Sequence, residues 1–133
     1  MIDLHLHTTA SDGTLAPAAV VDRARAAGLR TLSVTDHDTM AGVAEAADAA
    51  AAHTLEFLPG IEITAVSEQR DVHMLGYFLD PSPPGLEPFL EIQRDDRRRR
   101  ALRMVELLAG LGLPIDIDSV IAQAAAEGRA VAR

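Results

Sequence analysis

The sequence contains no cysteine. That absence removes disulfides, thiolate zinc sites and cysteine nucleophiles together, and it fits a reducing compartment. No stretch reaches the roughly 18 apolar residues of a membrane span. The start, Met1-Ile2-Asp3-Leu4-His5, has neither the basic region nor the apolar run of a secretory signal. These absences lead to the expectation of a soluble, cytoplasmic protein. An excess of basic charge is lacking too: 12 Lys and Arg against 20 Asp and Glu leave a net charge of −8. A protein that coats nucleic acid wholesale would be basic, so that class loses ground, although a local basic patch is still allowed.

What remains is an ordinary globular chain. Its 133 residues suit one domain, and 48% hydrophobic with 24% charged residues argues against disorder along its length. Ile2, Leu4 and Leu6 alternate with Asp3, His5 and His7, which predicts a strand with one apolar face and one polar face. Asp12-Gly13 signals a turn, and Pro17 suits the first turn of a helix over 18–27 that Gly28 stops. Residues 29–35 read as a second strand and 43–52 as a second helix. Leu55, Phe57 and Leu58 form a third strand, Pro59-Gly60 turns the chain, and residues 61–64 extend again. A further strand covers 72–78, a long helix 86–111, and a last helix 119–127 with Asp118 as its cap. Strands alternating with helices in this order mean an α/β sheet with parallel neighbours.

Four clusters carry chemistry: His5 and His7 with Asp12; Asp36-His37-Asp38; Glu62; and His73. Each falls at or just past the end of an expected strand, where α/β folds gather their sites. Histidines two apart in a strand share a face. Neutral imidazoles and carboxylates together can hold Zn, Mn or Fe. Plainer readings exist for each cluster. His5 and His7 could be ordinary polar strand residues, Asp36-His37-Asp38 a turn and capping cluster, Glu62 a solvated edge residue, and His73 a buried hydrogen-bonded histidine. Their joint occurrence at strand ends favours a metal centre. His53 is read apart from them, as a helix C-terminal cation or surface residue.

The wording of these clusters resembles a known family. The run Asp3-Leu4-His5-Leu6-His7-Thr8-Thr9-Ala10-Ser11-Asp12-Gly13 is similar to the first motif of the polymerase and histidinol phosphatase (PHP) superfamily. Thr35-Asp36-His37-Asp38-Thr39 resembles its second, Gly60-Ile61-Glu62 its third, and His73-Met74-Leu75-Gly76-Tyr77-Phe78 its fourth. The order and spacing are most similar to stand-alone nucleoside 3′,5′-bisphosphate phosphatases and 5′-3′ exoribonucleases. The resemblance implies an α/β fold that is part of a distorted (β/α)7 barrel, with two or three divalent metal ions (Mn, Fe or Zn). By it, His5 and His7 hold one metal, Glu62 bridges to a second that His73 also helps bind, and Asp12 and His37 serve a third position. Asp36 and Asp38 orient ligands from behind. It also implies hydrolysis of phosphate esters of nucleotides or short RNA by a metal-bridging hydroxide.

From 94 to 103 the chain carries six arginines. Arginine matches phosphate with a two-pronged fork. Arg97, Arg100 and Arg133 are the candidates for substrate phosphate, the alternative being a solvated helix paired with Glu91, Asp95 and Asp96. The expected division is 1–85, the N-terminal part of the barrel with its ligands, and 86–133, a helical insert. Measured against the family, the chain is expected to be truncated, and either to belong to a longer product or to self-associate to complete its sheet. The alternative functions are a histidinol-phosphate phosphatase, a non-catalytic metal-binding module, and a regulatory phosphate-binding piece.

Overall fold

The computed structural model describes residues 1–67 and 70–126. Its elements run β1 (Ile2–Leu6), α1 (Pro17–Ala26), β2 (Thr31–Val34), α2 (Val43–Ala52), β3 (Glu56–Ser67), β4 (Arg70–Tyr77), α3 (Leu86–Gly110) and α4 (Ile117–Ala126). The sheet has the order β1-β2-β3-β4 and curls into a half-barrel. β1, β2 and the start of β3 are parallel, whereas β4 runs antiparallel to β3. Parallel neighbours were expected throughout. The two residues between β3 and β4 are too few for a parallel crossover, which takes about a dozen.

Pro59-Gly60, expected as a turn, lies inside a continuous 12-residue strand. The strand changes partner there, pairing with β2 through Pro59 and with β4 from Gly60 onward. Pro59 has no N–H to give, and its carbonyl accepts from the Phe78 amide at 2.9 Å. A Cβ on Gly60 would stand 2.4 Å from Ser33 Oγ and 2.8 Å from Thr35 Cγ2, so β2 can approach only a glycine.

Helix α1 begins with its proline and ends at Gly28, whose φ of 79° is left-handed. The Leu29 amide donates to the Ala24 carbonyl at 3.1 Å and the Gly28 amide to Arg25 at 2.9 Å, which closes the helix end. One core cluster packs Val21 and Ala24 of α1, Ala46 and Ala50 of α2, and Leu32 and Val34 of β2. Each large aliphatic side chain buried there contributes about 1.5–3 kcal/mol. Strand alternation turns Ser33 to the face opposite Leu32 and Val34, and all three are fully buried. A second cluster joins Met40, Val43 and Ile61 to Leu90, which seats α3. Leu90 is the single fully buried side chain of α3 among the described residues.

At the start of α4 the cap is Asp116, not Asp118. Its carboxylate accepts from the Asp118 amide at 3.1 Å and from the Ser119 hydroxyl at 2.5 Å, two residues earlier than expected. Among the described residues no helix is long and apolar enough to cross a membrane.

Candidate metal centre

The site is assembled from strand ends. The register of β1 against β2 slips by one residue between Asp3 and Leu6, a bulge of the kind that re-aims neighbouring side chains. The Tyr77 hydroxyl donates to the Leu4 carbonyl within that bulge at 2.9 Å. His5 and His7 follow on one face, their ring centroids 5.0 Å apart.

Asp12 is delivered by the loop after β1, and Asp36 fixes that loop. The buried Asp36 carboxylate accepts from the Thr8 amide and Thr8 hydroxyl, each at 2.7 Å, and from the Ser11 hydroxyl at 2.6 Å. Its partners are therefore loop donors rather than the histidines expected as ligands. Inside the loop, the Gly13 amide donates to the Thr8 carbonyl at 2.9 Å. At the end of β2, His37 forms a parallel bridge to Glu62, with the Glu62 amide donating to Asp36 at 3.1 Å and the Asp38 amide to Glu62 at 2.9 Å. That backbone pairing sets the two side chains together. Thr64 lies opposite His73 across β3 and β4, and Glu62 lies on the same face two residues before Thr64.

Glu62 is the hub. Its Oε2 lies 2.9 Å from His5 Nε2, 3.1 Å from His7 Nε2 and 3.7 Å from His37 Nδ1, and its Oε1 lies 2.5 Å from His73 Nδ1. Asp12 stands 3.1 Å from His7 Nδ1 and 3.6 Å from His37 Nε2. Three overlapping groups result, each with ligand atoms mutually within 4.8 Å: His5, His7 and Glu62; His7, Asp12 and His37; and His37, Glu62 and His73. All six residues expected as ligands are brought together. The donors are imidazole nitrogens and carboxylate oxygens, a set suited to divalent metal ions. The buried His37 Nδ1 has no hydrogen-bond partner among the described residues, which fits an atom reserved for a metal.

Burial lowers the pKa of His37, and the Glu62 charge offsets this only in part, so the ring is held in the neutral form that ligation needs. Burial pushes the Glu62 carboxyl up, but the hydrogen bonds from His5 and His73 outweigh it, and its pKa lies below the usual range. Both folded-state values are depressed. Each group therefore adds stability that is present above its ordinary pKa and lost as pH falls through the folded value. Stability of the metal-free chain is expected to decline below about 6.5, the ordinary value for His37, and again below about 4.5, that for Glu62. Urea titrations at stepped pH measure this, and a flat profile from pH 8 to 4 would contradict it.

Arg97 and Arg100 meet partners other than the local acids Glu91, Asp95 and Asp96, whereas Arg99 does pair with Asp96 as the solvated-helix alternative expected. Arg97 Nη2 donates to Asp38 Oδ2 at 2.9 Å and to Thr64 Oγ1 at 2.5 Å. Arg100 Nη1 lies 2.6 Å from both carboxylate oxygens of Asp71. The two line a cleft of about 290 Å³ with His73 and Thr64. Arg133 lies outside the described residues. His53 ends α2 and bonds Asp22 on α1 at 2.7 Å, apart from the centre. Sequence reading passed over Thr8 and Ser11, which stand within the first motif, and Thr64 and Arg94, for which no local signal exists.

Residues 3–111 match the PHP domain family. The 3′,5′-nucleoside bisphosphate phosphatase of Chromobacterium violaceum is 42% identical over 112 residues, 84% of this chain and 39% of that protein. The 5′-3′ exoribonuclease Rnm of Escherichia coli K12 is 40% identical over 133 residues, 98% of this chain and 45% of its own. A solved Bifidobacterium adolescentis protein assigned as a metal-dependent phosphoesterase superposes with a TM-score of 0.81 at 44% identity, over 92% of this chain and 43% of that one. The chain thus spans less than half the length of these relatives.

Proposed function

The chain belongs to the PHP domain family, and on that premise we propose that it carries the metal-binding part of a phosphoesterase acting on nucleotides or short RNA. The observation that carries the reading is one carboxylate, Glu62, standing within 3.7 Å of four histidines. In this reading His5, His7, Asp12, His37, Glu62 and His73 hold two or three ions of Mn, Fe or Zn. Bound there, such ions neutralise a phosphate ester and lower the pKa of a water. The chain's own residues prepare the place: burial keeps His37 neutral, Glu62 keeps its charge, and Asp36 holds the loop that presents Asp12.

The cleft beside His73, with Arg97 and Arg100 on its wall, supports a second phosphate on the substrate, as in a nucleoside 3′,5′-bisphosphate. Residues 1–85 supply the ligands in this scheme, and 86–133 supply the arginines. Exposed Val72, Met74 and Leu75 on edge strand β4 support self-association that covers this edge; a monomer by light scattering at micromolar concentration would count against it.

The test couples metal content with turnover. Elemental mass spectrometry of the purified chain is expected to find bound metal that His5→Ala loses. Hydrolysis of adenosine 3′,5′-bisphosphate or of short 5′-phosphorylated RNA, and not of histidinol phosphate, is then expected. Preference for histidinol phosphate would move the chain to the other phosphatase group. Bound metal without turnover of any ester would leave a metal-binding module.

A further inference from the structure

Helix α3 is 25 residues long, yet among the described residues it buries only Leu90 completely. Apolar packing therefore secures one end of it, and polar contacts hold the stretch from Arg94 to Arg100. Arg94, Arg97 and Arg100 recur every three residues, the spacing that puts neighbours on one side of a helix. In order they reach the residue after His37, the β3 residue Thr64, and Asp71 on β4.

Two of the three converge on Asp38. Arg94 Nη1 donates to its carbonyl at 3.1 Å, and Arg97 Nη2 to its carboxylate at 2.9 Å. The other polar groups of Asp38 go to β3: its amide donates to the Glu62 carbonyl at 2.9 Å, and its Oδ1 accepts from the Thr64 amide at 3.2 Å. Its carboxylate is almost wholly buried, 1% exposed, and the Arg97 side chain is 20% exposed, so this is not a solvent-screened surface pair. Asp38 also holds a φ of 51°, a left-handed backbone that a non-glycine residue keeps only when its surroundings dictate it.

We infer that Asp38 is a positioning residue that couples helix α3 to the metal centre. It stands directly after His37, and every polar group it owns is spent either on α3 or on the β3 segment that carries Glu62. A shift of α3 therefore reaches the backbone that sets His37 against Glu62. The claim that the centre binds metal rests on the function proposed above; the mechanical coupling does not.

Arg97→Gln in the full chain tests it, because that side chain touches the strand ends without being part of them. Amide exchange at Asp38, Glu62 and Thr64 is expected to accelerate about tenfold, and Co²⁺ affinity to fall by about the 10–100-fold typical of partners behind metal ligands, with a changed Co²⁺ absorption spectrum. Arg97→Lys keeps the charge and is expected to recover part of both. Asp38→Asn is the second variant, since Asn tolerates the left-handed backbone and keeps an acceptor for Thr64 while losing the charge opposite Arg97. A folded Arg97→Gln or Asp38→Asn chain with wild-type exchange at those three amides overturns the coupling. Faster exchange with unchanged Co²⁺ affinity and spectrum would also overturn it, leaving a simple helix anchor. If the wild-type chain takes up no Co²⁺, the metal reading fails and the exchange result alone decides the coupling.

Discussion

Glu62→Gln should empty the metal centre while leaving the fold in place. The amide matches the carboxylate in size and preserves the pairing of β3 with β4, so far-UV circular dichroism should not change. What disappears is the one buried negative charge on which four imidazoles converge. Its replacement also turns an NH₂ group toward nitrogen atoms that a metal would occupy. Partners behind metal ligands typically change affinity 10–100-fold, and a shared ligand should exceed that, so a loss beyond about a hundredfold is expected. Turnover of phosphate esters should vanish with the metal. Full metal content and ordinary rates in this variant would remove Glu62 from its proposed bridging role.

Gly13→Ala should be nearly as damaging by a different route. A Cβ at this position would stand 2.5 Å from the carbonyl carbon and oxygen of His7 and 2.6 Å from the Thr8 amide nitrogen. Those are backbone atoms between two proposed ligands, and no side-chain rotation relieves the contact. Either the loop moves, taking Asp12 with it, or β1 moves, taking His7. Overpacking of this kind costs about 1–3 kcal/mol, read as a lower urea midpoint, and metal content should fall alongside. Gly110→Ala is the control: its Cβ meets nothing within 4 Å, and alanine favours the helix by about 1 kcal/mol. Equal stability losses in the two variants would refute the packing argument.

Much of this architecture was legible where the signal is local. Helix α2 runs from Val43 to Ala52 as its alanine-rich composition implied, and Gly28 closes α1 because only its left-handed φ was needed there. The six ligand candidates were readable because strand ends and polar clusters coincide in sequence before they meet in space. Local signals misled at Pro59-Gly60. That dipeptide ordinarily marks a turn, but here Gly60 answers to Ser33 of β2 and to Thr35 just past its end, residues far earlier in the chain. The direction of β4 was missed for a related reason, since strand alternation is the same in parallel and antiparallel sheets. The partners of Arg97 were beyond local reading as well. Asp95 and Asp96 are the nearer acids in sequence, while Asp38 is nearer in the fold because β2, β3 and α3 bring it there. Asp36, expected behind the ligands, anchors the Thr8 to Ser11 turn through donors 25 and 28 residues away, partners that no local signal named.

The hydrogen bond from Tyr77 to Leu4 ties together the two outermost strands of the sheet, β1 and β4. It can therefore act as a check on alignment during folding. Tyr77 sits opposite Gly60, where no side chain obstructs its path. If β4 slid by one residue along β3, Gly76 or Phe78 would take that place, and neither carries a hydroxyl. The same slip would put Val72 or Met74 where His73 belongs, because side chains alternate between faces. One misalignment thus forfeits the tie between the strands and a proposed metal ligand together, so the chain that closes on Tyr77 is the chain that has His73 beside Glu62.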